Sequence, residues 1–124
     1  MNPLGSSALV LGALVLAGCA TPNAGDTPKV VQGYPLPSYQ IHEECLMLKP
    51  GERVLYRFES TAPVDFNIHY HEGKAVVMPL VREKSREDAG VYAVTLAQDY
   101  CLMWEAGAAG AVLDYRVSVT RPDS

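Results

Sequence analysis

His69 and His71, two imidazoles separated by one tyrosine, are the side chains of this 124-residue chain whose type and spacing point most directly to chemistry. On a strand, residues two apart project from one face. Both rings could then address a single Zn or Cu ion, with Glu72 or His42 as a third ligand. Met47, Met78 and Met103 add soft sulfur donors suited to Cu(I). The same pattern has a plainer meaning, because Phe66, Ile68 and Tyr70 alternate with the histidines, which then fall where solvent-facing polar side chains belong. Methionines are also ordinary core fillers. A third use is as polar contacts to a partner, where protonation at about pH 6 would make binding acid-sensitive.

Other constellations carry less. Ser60, Ser85 and Ser118 lie in no nucleophile-elbow pattern. The pairs Glu43/Glu44 and Glu87/Asp88 are adjacent, and neighbours on a strand point to opposite faces, so neither pair can share one substrate atom; solvated carboxylates are expected. The small residues 106–110 lack the Lys-Ser/Thr that follows a phosphate loop. Net charge is −4 with no basic stripe, which argues against nucleic acid. Arg82, Lys84 and Arg86, interleaved with Glu83, Glu87 and Asp88, read as a mixed-charge loop or one helical turn. As a loop on a rigid scaffold, it is the expected place for a polar partner contact. The chain is therefore read as non-enzymatic, with no cofactor beyond the Cu or Zn of the histidine reading.

The elements that would position these residues are strands. Val54, Tyr56 and Phe58 alternate with polar or outward residues, as do Phe66, Ile68 and Tyr70, and Leu113, Tyr115, Val117 and Val119. Lys49-Pro50-Gly51-Glu52, Glu72-Gly73-Lys74 and residues 106–110 supply turns. Trp104 shares a strand face with Tyr100 and Leu102, which predicts a core position. Evenly spaced short strands predict one small antiparallel β-sandwich over residues 40–121, with 122–124 as a tail. Before it, residues 19–39 carry Pro22, Pro28, Pro35 and Pro37 with Gly25 and Gly33 and read as a tether, spanning on the order of 25 Å. Tyr34, Pro35, Leu36, Pro37 and Tyr39 are expected to dock on the domain, with a short polyproline-like recognition segment as the alternative.

At the amino terminus a run of Ala, Leu and Val from Ala8 to Ala17 ends in Leu16-Ala17-Gly18-Cys19. The run is shorter than the roughly 20 apolar residues a spanning helix needs and fits a signal peptide, although Met1 to Ser7 contains no Lys or Arg. The four residues resemble the lipobox of bacterial lipoproteins. That resemblance implies removal of 1–18, acylation of Cys19 and attachment to the envelope membrane. Ala20, not Asp, after the cysteine implies the outer membrane, facing the periplasm. A lipidated Cys19 leaves Cys45 and Cys101, for which an oxidising compartment permits one disulfide. A metal-binding or catalytic thiol pair is the alternative.

Glu44-Cys45 leading the first strand, Gly90-Val91-Tyr92 before an apolar run, Tyr100-Cys101-Leu102 after it and a last alternating strand ending at Val119 resemble the Golgi-dynamics (GOLD) domain. That resemblance implies a compact β-sandwich with an early and a late cysteine joined, and a role in binding proteins. Trp104 and Glu105 stand where that family places a Ser-Asn turn. Asp88-Ala89-Gly90-Val91-Tyr92 also looks like the tyrosine corner of an immunoglobulin-like fold, with Val94 where the second cysteine would fall. The combined expectation is a lipid-anchored, non-catalytic interaction or structural module that binds another envelope component, with a periplasmic Cu or Zn protein as the alternative. Cys19→Ser should shift the protein from the membrane to the soluble fraction on cell fractionation; a variant still membrane-bound would refute the anchor.

Overall fold

The computed structural model describes residues 27–122, together with the isolated Gly5 and Gly12. The leader, Cys19 with the start of the tether, and the last two residues otherwise lie outside the described residues. Six strands run in chain order: β1 (Lys29–Leu36), β2 (Ile41–Leu48), β3 (Arg53–Glu72), β4 (Ala75–Ala93), β5 (Gln98–Ala106) and β6 (Ala111–Thr120). Every pairing is antiparallel, in the order β1-β6-β3-β5-β2, with β4 on the other edge of β3. The described residues contain no helix. The expected all-β sandwich is thus present, made from one curled sheet.

The curl is written into β3. Its residues 53–60 pair with β6 and residues 64–69 with β5, so one strand contributes to two layers. Pro63, which has no N–H to donate, falls between the two ladders, where the pairing to β4 is also irregular. The alternation does not break at the bend. Val54, Tyr56, Phe58, Val64, Phe66 and Ile68 all face inward and are buried. Because the strand turns over, its own rings meet across the core, with Phe66 4.8 Å from Tyr56 and 4.9 Å from Phe58. Trp104 lies against Phe66 at 5.3 Å and stacks on Tyr115 at 4.5 Å, fully buried as its strand face predicts.

Glu52 shows how the β2–β3 turn tolerates a buried acid. One carboxylate oxygen accepts from the Lys49 backbone N–H at 2.7 Å and the other from Arg121. Gly51 adopts φ +90°, which closes the turn without a Cβ penalty.

Three expectations need correction. Residues 29–36 are a strand and not tether: β1 pairs with β6, and Leu36 is buried. Its prolines and glycines are accommodated because β1 pairs on one side only, and Gly33, at φ +68°, absorbs a register shift with its N–H donating to Asp114. Residues 82–88 are not a loop or a helical turn but part of β4, where pairing along β3 overrides the charged composition. The immunoglobulin alternative fails on both its signals. Tyr92 sits mid-ladder opposite Val54, and the disulfide joins β2 to β5, neighbours in one layer.

The Cys45–Cys101 bond spans 56 positions in sequence. In the chain-entropy model a loop of that length is worth about 4 kcal/mol. A Cys45→Ser/Cys101→Ser variant should lose stability of that order in urea unfolding. Gly90→Ala should destabilise without touching the disulfide, because a Cβ there would lie 2.9 Å from the Tyr56 hydroxyl, which donates to Asp88 at 2.8 Å.

Candidate functional site

The layer built from β2, β5 and the second half of β3 has two contrasting sides. Strand register places directly paired residues on the same side, so the outward side can be read in rows. Ile41, Glu105 and Asp65 form one row, Glu43, Met103 and Asn67 the next, then Cys45, Cys101 and His69. Met47 and Asp99 follow, and β4 extends the surface with Val81 opposite Asn67 and Val76 opposite His71. Ile41, Met47, Val76 and Val81 are exposed, Met47 by 75%. Neither β2, β5 nor residues 61–72 contain a Lys or Arg. The result is a mixed surface, with exposed apolar side chains on β2 and β4 interleaved with the acids Glu43, Asp65, Asp99 and Glu105.

His69 does not behave as a solvent-facing histidine. Its side chain is only 5% exposed, with Asn67, Glu43 and the His71 ring against it. Its Nδ1 stands 2.7 Å from Asn67 Oδ1, which fixes the ring, and its Nε2 stands 3.6 Å from Glu43 Oε1. His71 shares the face but is exposed and meets the His69 ring edge-on at 5.3 Å. Among the described residues, the set of three or more His, Cys, Asp or Glu donors whose atoms lie within 4.8 Å of one another is Glu43, Cys45 and Cys101, with both His69 and His71 outside it. Of the other expected ligands, Glu72 ends β3 and His42 faces the opposite side. Met78 lies exposed on β4 and Met103 is half-buried in the Glu43 row.

The inward side holds a polar cluster where β1 and β2 approach. His42 Nε2 lies 2.8 Å from the Tyr115 hydroxyl, which donates to Glu44; Lys29 Nζ lies 2.6 Å from the same carboxylate. Tyr34 covers the His42 ring at 4.1 Å. Glu44 is thus largely buried and bonded, not solvated as its charge suggests. Burial acts to raise its pKa, but the bonds from Lys29 and Tyr115, with the charges of Lys29 and His42, outweigh this and hold it below the ordinary carboxylate value. Burial and the bond to Glu44 push the Tyr115 hydroxyl well above the usual range. This cluster could have been found in the sequence, since His42 and Glu44 share the face of Leu46 and Leu48.

The three cations expected to meet a partner are partly spent within the fold. Arg82 lies 3.4 Å from Asp88, and Arg86 donates to the Thr61 carbonyl at 3.3 Å. Lys84 adopts φ +47° at an irregular point of β4, with its N–H donating to Asp65.

These features define a small, helix-free, disulfide-bonded β-sandwich whose outward sheet face mixes apolar and acidic side chains. Among solved structures it is similar to Aeromonas hydrophila PliG, a periplasmic lysozyme inhibitor of g-type lysozyme. The TM-score is 0.59 at 12% identity, over 75% of this chain and 86% of that one, so the likeness is one of fold. No protein-family model and no curated protein matches the chain.

Because the folded-state pKa of Glu44 is depressed, its stabilisation is present above the unfolded carboxylate pKa and lost as pH falls through the folded value. Relative to wild type, Glu44→Gln should be less stable at neutral pH, and the difference should shrink below about pH 4 in acid–urea unfolding. A difference independent of pH would refute an ionised Glu44 in the cluster.

Proposed function

We propose that this chain is a lipid-anchored, non-catalytic module of the bacterial envelope, and that it binds a protein through the outward face of β2, β5 and β3. The observation that carries the reading is the composition of that face: exposed Ile41 and Met47 on β2 and exposed Val76 and Val81 on β4, interleaved with Glu43, Asp65, Asp99 and Glu105. Exposed apolar side chains gathered on one face mark an interaction surface, and the acids select a partner whose contacting surface is basic. The scaffold is held rigid by a closed core and a disulfide, so a partner would meet a preformed surface. Support for a periplasmic setting comes from the fold shared with PliG. Acylation at Cys19 would hold the domain at the membrane, with the shortened tether of residues 19–28 as its reach.

A g-type lysozyme is the first partner to test, since the structurally similar protein inhibits one. The chain, extracted in detergent, should slow lysis of cell-wall substrate by g-type lysozyme, or cross-link in intact cells to another envelope protein. Ile41→Glu and Met47→Glu should each weaken the interaction tenfold or more, whereas Val112→Glu, exposed on β6, should leave it unchanged. Equal effects of all three would overturn the assigned face. The absence of both inhibition and a cross-linked protein would overturn the binding reading.

A further inference from the structure

We propose that Cys45, Cys101, His69 and Glu43 form a thiolate zinc site that opens when the disulfide is reduced. It differs from the chelate of His69 with His71 read from the sequence, because Nδ1 of His69 is bonded to Asn67 and its Nε2 faces Glu43, while the exposed His71 meets the ring edge-on at 5.3 Å. Three observations converge on it. The carboxylate of Glu43 and both sulfurs lie within 4.8 Å of one another. His69 is directly paired with Cys101, and Cys101 with Cys45, so the imidazole stands in the same row as the sulfurs, just outside their 4.8 Å group, and closes on them as the sulfurs part. Its Nε2 is 3.6 Å from Glu43 Oε1, beyond a hydrogen bond. That spacing is close to the roughly 3.3–3.5 Å expected between nitrogen and oxygen donors on one tetrahedral zinc.

The ring is also prepared for the task. With Asn67 Oδ1 accepting at 2.7 Å, Nδ1 carries the hydrogen and Nε2 presents its lone pair toward Glu43. A histidine ligand held this way, by an acceptor on its second nitrogen, is the usual arrangement around a bound metal. Two thiolates, one imidazole and one carboxylate make a four-donor set of the kind zinc takes.

The disulfide form is closed to zinc, because both sulfurs are committed to each other. Cys45 is exposed, so a dithiol can reach the bond. That dithiol passes two electrons and two protons into the S–S bond and becomes a disulfide, leaving Cys45 and Cys101 as thiols. Zinc then displaces both thiol protons as it binds. The sulfurs need only part to about 3.8 Å, the spacing of two thiolates on one zinc. The ladder between β2 and β5, running from Ile41 opposite Glu105 to Leu48 opposite Gln98, holds both cysteines in register while they do so. The site lies on the same outward face as the proposed protein-binding surface and shares Glu43 with it, but its observations and its test do not rest on that reading.

The test uses the full chain carrying Cys19→Ser, so that the two domain cysteines alone offer thiols, reduced and desalted without oxygen. Native mass spectrometry with added zinc should show one ion per reduced chain and none per oxidised chain. Cobalt(II) should give a thiolate charge-transfer band in the reduced form. His69→Gln and Glu43→Gln should each weaken zinc binding tenfold or more, with His71→Ala unchanged. Circular dichroism follows the fold throughout; a reduced chain that loses its sheet signal and regains it with zinc also supports the site. No zinc on the reduced chain, or equal binding by wild type and both the His69→Gln and Glu43→Gln variants, would overturn it.

Discussion

The turnover of β3 at Pro63 is the constraint on which the rest of the molecule depends. A 20-residue strand cannot stay flat in a domain of this size, and the proline interrupts its hydrogen bonding at the point where its partner changes from β6 to β5. Unbroken alternation through the bend keeps every even-numbered large side chain pointing inward. One strand thereby lines both walls of the core, and Phe66 meets the two aromatic residues that precede it in the same strand. β4 follows β3 along its whole length, so the hairpin carries the curl into both layers.

The strand alternation, the turns, the core position of Trp104 and the pairing of the cysteines were legible in the sequence, because each rests on local periodicity or simple counting. What could not be read was which outward faces end up covered. His69 and His71 have the same period and polarity, yet one is buried among side-chain neighbours such as Asn67 and Glu43 and the other is open to water. Burial here is set by neighbours, not by the strand's own pattern. For the same reason β1 was hidden: its prolines and glycines forbid a central strand but not an edge, and only the free side of β6 reveals that an edge was needed. Residues 82–88 misled through composition, since their charges describe an exposed strand as well as a loop.

Glu43 and Glu44 show how one step along a strand separates chemistries. Glu43 faces outward beside the cysteines and His69; Glu44 faces inward, bonded by Lys29 and Tyr115. The first remains open to a ligand or a partner. The second is consumed in joining β1 to β2, two strands that share no backbone ladder and are held together through side chains.

That junction bears on how the protein behaves at high concentration. Among the described residues, β1, β2 and β4 each pair on one side only, and an unpaired edge is a template for adding a neighbour's strand. The edges of β1 and β2 are shielded by each other's side chains, which leaves β4. It carries Pro79 and a residue at positive φ, Lys84, amid alternating charges, a combination that roughens its hydrogen-bonding row. This blunted border lets many copies crowd together without zipping into a shared sheet.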